Sequence, residues 1–162
     1  MIDSHVQELL DRFAIYELRA RFFRLVDEKD WPRWRACFTE DCRFDLGDGE
    51  WIDLDEWMTK NKEWHDGMIS VHRGSLPELE FKSPTEASGV WALNDYIEWP
   101  SDEDGTRRGY MGFGREYDMY RKVDGEWKIC QWILKFHRVD PLPREPLPKT
   151  MLGAAVLEAG SR

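Results

Sequence analysis

The sequence predicts an α+β fold on three observations. Apolar residues recur at helical spacing through residues 4–27, the period changes to two from Met68 onward, and Gly-, Pro- and Asp-containing turns separate four long alternating segments. Helices followed by an antiparallel run of strands belong to the α+β class rather than to alternating βαβ architectures.

Ser4-His5-Val6-Gln7 reads as a capping box that starts the first helix, which runs to about Asp27. Winding this segment at about 100° per residue puts Leu9, Phe13, Tyr16, Ala20, Phe23 and Asp27 within roughly 40° of one another, the predicted inner face. A carboxylate on an apolar face needs a hydrogen-bond or cationic partner, because burying an unpaired charge is costly. Glu28-Lys29-Asp30 interrupts the pattern. Asp30 then caps a short second helix with Pro32 in its first turn, and Trp34 and Phe38 form its buried side. Arg43–Leu46 and Glu50–Ile52, around Gly47-Asp48-Gly49, form a hairpin. A third helix starts at Asp53 or Asp55 and carries Trp57, Asn61 and Trp64 on one stripe, ending near Asp66-Gly67.

Strands follow over Ile69–Phe81, Ala87–Trp99, Arg107–Val123 and Glu126–Val139, joined at Ser83-Pro84, Asp102–Gly105 and Asp124-Gly125. Gly109, Gly112 and Gly114 lie inside the third of these, where they allow a bend or bulge. Past Pro141 the Pro-rich stretch is not expected to join a sheet, so the chain divides into one domain over residues 1–140 and a tail over 141–162.

With 162 residues, 41% hydrophobic and 14% aromatic, the chain suits one core. Its nine Trp and eight Phe serve packing or line an apolar pocket. A net charge of −9 argues against nucleic acid and anionic membrane as partners, since both require clustered Lys and Arg. Cys37, Cys42 and Cys130 lack metal-ligand spacing and sit among apolar residues, which indicates a reducing, cytoplasmic compartment. Met1–His5 leads straight into the first helix with no leader pattern, and no apolar run reaches membrane-spanning length.

Three residues attract a chemical reading. Asp27 is an inward acid at a helix end, where the plain alternative is a solvated or capping carboxylate. His72, in Ser70–Gly74, is a general base if Asp27 orients it, and otherwise a satisfied strand histidine. Asp95 shares a strand face with Trp91, Leu93 and Ile97, where desolvation would favour the neutral acid. Tyr117 is the tyrosine best placed for the pocket, ahead of Tyr16 and Tyr110, while His65 and His137 read as surface or edge residues and His5 as part of the helix start. Phe23, Trp91 and Trp132, with Trp31 and Trp34, are either pocket wall or core. No metal motif and no Ser or Cys nucleophile motif is present.

Phe22–Asp27 with Asp30-Trp31, Phe38–Asp41, Val71–Gly74, Trp91–Asp95, Tyr117–Tyr120 and Asp124–Ile129, in this order, resemble the SnoaL-like group of the nuclear transport factor 2-like superfamily over about residues 4–140. The resemblance implies a cone-shaped α+β barrel, with a curved antiparallel sheet wrapped around the long N-terminal helix and a deep pocket between them. In the bile acid dehydratase and hexachlorocyclohexane dehydrochlorinase members of that group, an Asp at the end of the first helix orients a His on the facing strand. Those positions are Asp27 and His72 here, and the further acid of the bile acid enzyme falls at Asp95. That enzyme's tyrosine position on the first helix is Phe22. The expectation is therefore a lyase (dehydratase-like) or isomerase that needs no cofactor or metal, acts on a small apolar cyclic substrate, and assembles as a homodimer or homotrimer. The competing expectation is a non-catalytic module, such as the small β subunit of an aromatic-ring-hydroxylating dioxygenase.

Overall fold

The computed structural model describes residues 3–144, so most of the Pro-rich tail lies outside the described residues. Helix α1 spans Ser4–Glu28, α2 Trp31–Arg35 and α3 Leu54–Trp64. The strands are β1 Phe38–Asp45, β2 Ile52–Asp53, β3 Ile69–Ser83, β4 Glu86–Trp99, β5 Arg108–Val123 and β6 Glu126–Pro141. They form one curved six-stranded sheet in the order β2-β1-β6-β5-β4-β3, open between β2 and β3. The four long strands make the expected antiparallel meander, whereas β1 joins β6 in parallel and extends the sheet beyond it. The β1–β2 hairpin pairs Phe44 with Ile52, as its glycine turn predicts. Among the described residues no helix is long and apolar enough to cross a membrane.

Several local expectations change. Asp3, not Ser4, caps α1, its carboxylate accepting from the His5 amide at 2.9 Å. Phe38 opens β1 rather than closing α2. Pro141 does end in the sheet, opposite Tyr110, and the Leu142 amide donates to the Gly109 carbonyl at 2.9 Å. A proline is tolerated there because it is the last residue of its strand and has no N–H to leave unpaired.

The largest difference concerns α1. Its buried residues are Asp11, Ile15, Leu18, Arg19, Phe22, Phe23, Leu25 and Val26, while Leu9, Phe13 and Tyr16 are exposed. Two charged residues on the inner face are stabilised by partners on distant strands. Asp11 accepts from Lys122 Nζ at 2.6 Å and from Trp127 Nε1 at 2.9 Å, interactions that hold its carboxyl below the usual range against the opposing effect of burial. Arg19, with no exposed surface, pairs with Glu116 and places Nε 3.4 Å from Asp118 Oδ2. Its guanidinium carbon also lies 4.3 Å from the Phe22 ring centroid and 4.5 Å from that of Phe23. Trp132 Nε1 donates to Glu116 at 2.9 Å, Trp91 Nε1 donates to the Tyr120 hydroxyl at 2.8 Å, and that hydroxyl donates to Asp118.

The same inversion appears on β5. Its inner face is Gly112, Gly114, Glu116, Asp118 and Tyr120, whereas Met111, Phe113 and Tyr117 face outward and are more than a third exposed. The register slips between Phe113 and Gly114, so the glycines do accompany a bulge. A Cβ at Gly114 would sit 2.3 Å from the Lys135 carbonyl oxygen, a backbone approach that only glycine permits.

Candidate active site

Between α1, α2, α3 and the concave face of the sheet lies a cavity of about 390 Å³, within the usual range for small-molecule sites. Its wall is mostly aromatic and aliphatic, with Phe22, Trp34, Trp57, Trp132 and Phe136 contributing, and its polar groups are His72, Asp95, His65, Asn61, Tyr110 and Glu116.

Asp27 reaches the site because α1 ends one residue after it, where Lys29 adopts a left-handed conformation (φ 58°) and turns the chain. Its carboxylate meets β3. His72 Nδ1 lies 2.7 Å from Asp27 Oδ1, the His72 amide donates to Oδ2 at 3.0 Å, and the Ser70 hydroxyl donates to Oδ1 at 2.8 Å. A carboxylate accepts only, so the Nδ1 hydrogen is directed at Asp27 and the neutral ring presents Nε2 as its basic nitrogen. Asp27 is about one quarter exposed by side chain and His72 less, so the pair is screened but reachable from the cavity that His72 lines.

Asp95 is the cross-strand partner of His72, and it is buried with Oδ1 making no hydrogen bond among the described residues. Desolvation pushes its pKa up to about 6, with the nearby Asp27 charge adding and His72 opposing. Gly112 lies opposite Asp95 on the other side, and Tyr110 opposite Ile97, which places the Tyr110 phenol diagonal to Asp95 in the wall. Burial and the Asp95 charge raise the Tyr110 pKa to about 12, so the phenol keeps its proton.

The structure thus brings Asp27, His72 and Asp95 to one place. Of the four residues expected to contact substrate, only Trp132 lines the cavity. Phe23 packs against Gly74, and Phe22 takes the wall position. Trp91 is a core residue bonded to Tyr120, and Tyr117 lies on the outer face beneath Lys135. Among the polar members, Tyr110 takes the place expected of Tyr117, His65 is not the surface or edge residue expected, and Glu116 is not among the residues that local pattern singles out. Alternation could have grouped Tyr110 with Glu116, but the outer face of β5 is the more apolar one and suggests the wrong phase. His137 is exposed, as expected, but His65 is buried at the end of α3. Its Nδ1 donates to the Asn61 carbonyl at 2.8 Å, and burial lowers its pKa to about 4. Among the described residues no three His, Cys, Asp or Glu side chains converge as a metal site requires.

The SnoaL-like domain profile matches residues 7–133. The chain belongs to the SnoaL-like family. Solved structures of similar shape include a candidate scytalone dehydratase from Novosphingobium aromaticivorans, with TM-score 0.76 and 18% identity over 89% of this chain and 93% of that one. A type 2 hexachlorocyclohexane dehydrochlorinase gives TM-score 0.76 and 18% identity over 90% and 97%. A Mycobacterium tuberculosis protein of unknown function gives TM-score 0.71 and 21% identity over 97% and 89%. At these identities the likeness is one of fold. It accounts for the helix-in-curved-sheet architecture that this SnoaL-like chain builds around its cavity.

His65 and Asp95 leave opposite marks on stability. Folded His65 releases its proton near pH 4 instead of 6.5, so stability present above pH 6.5 is lost as the pH falls toward 4. Folded Asp95 takes up its proton near pH 6 instead of 3.8, so stability rises as the pH falls through that window. Each contribution amounts to about 3 kcal/mol, at about 1.4 kcal/mol per pH unit, and the two largely cancel. Replacing His65 by Phe removes one of them. Urea midpoints should show that variant gaining about 3 kcal/mol relative to wild type between pH 6.5 and 4, and a constant difference would contradict the buried neutral His65.

Proposed function

We propose that this protein is a cofactor-independent acid–base lyase, dehydratase-like, or an isomerase, acting on an apolar cyclic small molecule. The observation that carries the reading is the Asp27–His72 hydrogen bond, which leaves the second ring nitrogen of His72 beside a largely apolar cavity with Asp95 opposite. In this reading His72 Nε2 takes a proton from a ring carbon, and Asp27 fixes the tautomer and stabilises the imidazolium that forms. In an elimination the C–H electrons become the new double bond, and the departing oxygen takes its proton from the Asp95 carboxyl. In an isomerisation the same proton returns to a different carbon. Tyr110, protonated throughout the neutral range, is placed to donate to a developing enolate oxygen.

The non-catalytic alternative, a dioxygenase small subunit or other binding module, draws less support. A scaffold has no need of an open cavity of about 390 Å³ or of a buried carboxyl oxygen in its wall with no hydrogen-bond partner among the described residues.

The direct test is exchange of the α-hydrogens of β-tetralone, an apolar bicyclic ketone, for deuterium in D₂O, followed by proton NMR. Saturable acceleration by the wild-type protein supports the base. Exchange at the buffer rate, alongside copurification with an iron–sulfur subunit, would move the reading to the assembly module.

A further inference from the structure

We propose that His65 selects hydroxylated substrates, its Nε2 accepting a hydrogen bond from a hydroxyl on the same ring as the C–H presented to His72, or on the adjoining ring. The inference deepens the reading above and rests on it for the identity of the cavity as a substrate site.

The geometry points to this in four steps. First, the His65 tautomer is set: Nδ1 is committed to the Asn61 backbone carbonyl at 2.8 Å, so the neutral ring carries its hydrogen there and Nε2 is an acceptor. The Asn61 carbonyl is held at the end of α3, where it also accepts from the His65 backbone amide at 3.0 Å. Second, Nε2 is buried and makes no hydrogen bond among the described residues, although His65 is only 6% exposed. Burying an acceptor without a partner is unfavourable, so such a group in a cavity wall marks where a ligand donor belongs. Third, the ring is held in place and stays neutral. The Trp31 indole packs edge-on at 5.6 Å, and burial keeps the imidazole unprotonated at ordinary pH, the form that can accept. Fourth, its position is next to the proposed base, with the His65 and His72 ring centroids 6.0 Å apart and tilted by 32°. A molecule small enough for the cavity can therefore touch both.

The two histidines then divide the work. His72, paired with a carboxylate, can take a proton, whereas His65, bonded to a carbonyl and desolvated, accepts a hydrogen bond without becoming charged. A site built around such a bond discriminates against an analogue lacking the donor, because binding that analogue leaves Nε2 unpaired.

The test compares the binding of β-naphthol and naphthalene by titration calorimetry to the wild-type protein, His65→Phe and His72→Gln. Naphthol affinity is expected to fall about tenfold in His65→Phe while naphthalene affinity stays within about twofold, and the preference is expected to survive in His72→Gln. Unchanged naphthol preference in His65→Phe, or no preference in the wild-type protein, overturns the proposal. Should His65→Phe fold poorly, the ¹⁵N resonance of the unprotonated Nε2 in wild-type protein provides the second measurement. It should move on addition of naphthol and not of naphthalene, and a stationary resonance overturns the proposal. Failure of the acid–base reading is separable: tetralone exchange would be absent while the His65-dependent preference remained.

Discussion

His72→Gln should slow deuterium exchange of β-tetralone by a factor of about 10²–10⁴, the contribution of one positioned general base. The glutamine amide can still donate to Asp27 and fills similar space, but it cannot accept a proton from carbon. The hydrogen bonds that join Asp27 to Ser70 and to the His72 backbone amide do not depend on the imidazole, so β3 stays attached to the end of α1. Urea unfolding should therefore differ from wild type by no more than about 1 kcal/mol, the scale of one exchanged hydrogen bond. Asp27→Asn tests the other half of the pair. An amide can donate to Nδ1, which turns the ring to the tautomer with hydrogen on Nε2, and exchange should fall although His72 is intact. Near-wild-type exchange in His72→Gln would remove His72 as the base.

Arg19→Met should destabilise the fold by about 3–5 kcal/mol, a large part of what holds a domain of this size together. Arg19 has no exposed surface and is the cation between Glu116 and Asp118. With two acids and one cation, burial favours the neutral form of one acid, and it raises the pKa of Asp118. Glu116 then depends on the guanidinium and on Trp132 Nε1 for its charge. Removing the cation leaves a desolvated carboxylate, which must either stay charged at high cost or take a proton. The double variant Arg19→Met/Glu116→Gln should recover much of the loss, since no buried charge is then uncompensated. Urea denaturation of the two single variants and the double variant completes the cycle. A loss below about 1 kcal/mol for Arg19→Met would mean that the pair is not a structural element.

The order of elements was readable from local pattern. Asp-Gly at 124–125 and Gly47–Gly49 marked turns because these residues adopt conformations that others avoid, and the alternation of Trp91, Leu93, Asp95 and Ile97 placed Asp95 on the inner face of β4. For Asp27 and His72 the chain supplied residue types, and the motif order suggested their proximity. Their hydrogen bond, and the neighbouring position of Asp95, belong to the register of β3 against β4 and to where α1 ends.

Two elements misled local reading for one shared reason. On α1 the stripe of Leu9, Phe13 and Tyr16 competes with the buried one because apolar residues surround the helix, and on β5 the phase bearing Met111, Phe113 and Tyr117 is the more apolar, yet these residues face outward. The inner phases carry Arg19 on the helix and Glu116 and Asp118 on the strand. Each would be costly inside alone, but together they neutralise one another across 97 positions of sequence between Arg19 and Glu116. Periodicity scores each side chain against water, not against a partner that only the folded chain supplies. That pairing set the phase of β5, which put Tyr110 in the cavity wall and Tyr117 outside it. Local pattern therefore sufficed for the α+β class, the turns and the acids and histidine worth testing, while long-range charge pairing and strand register decided which side chains meet in the cavity.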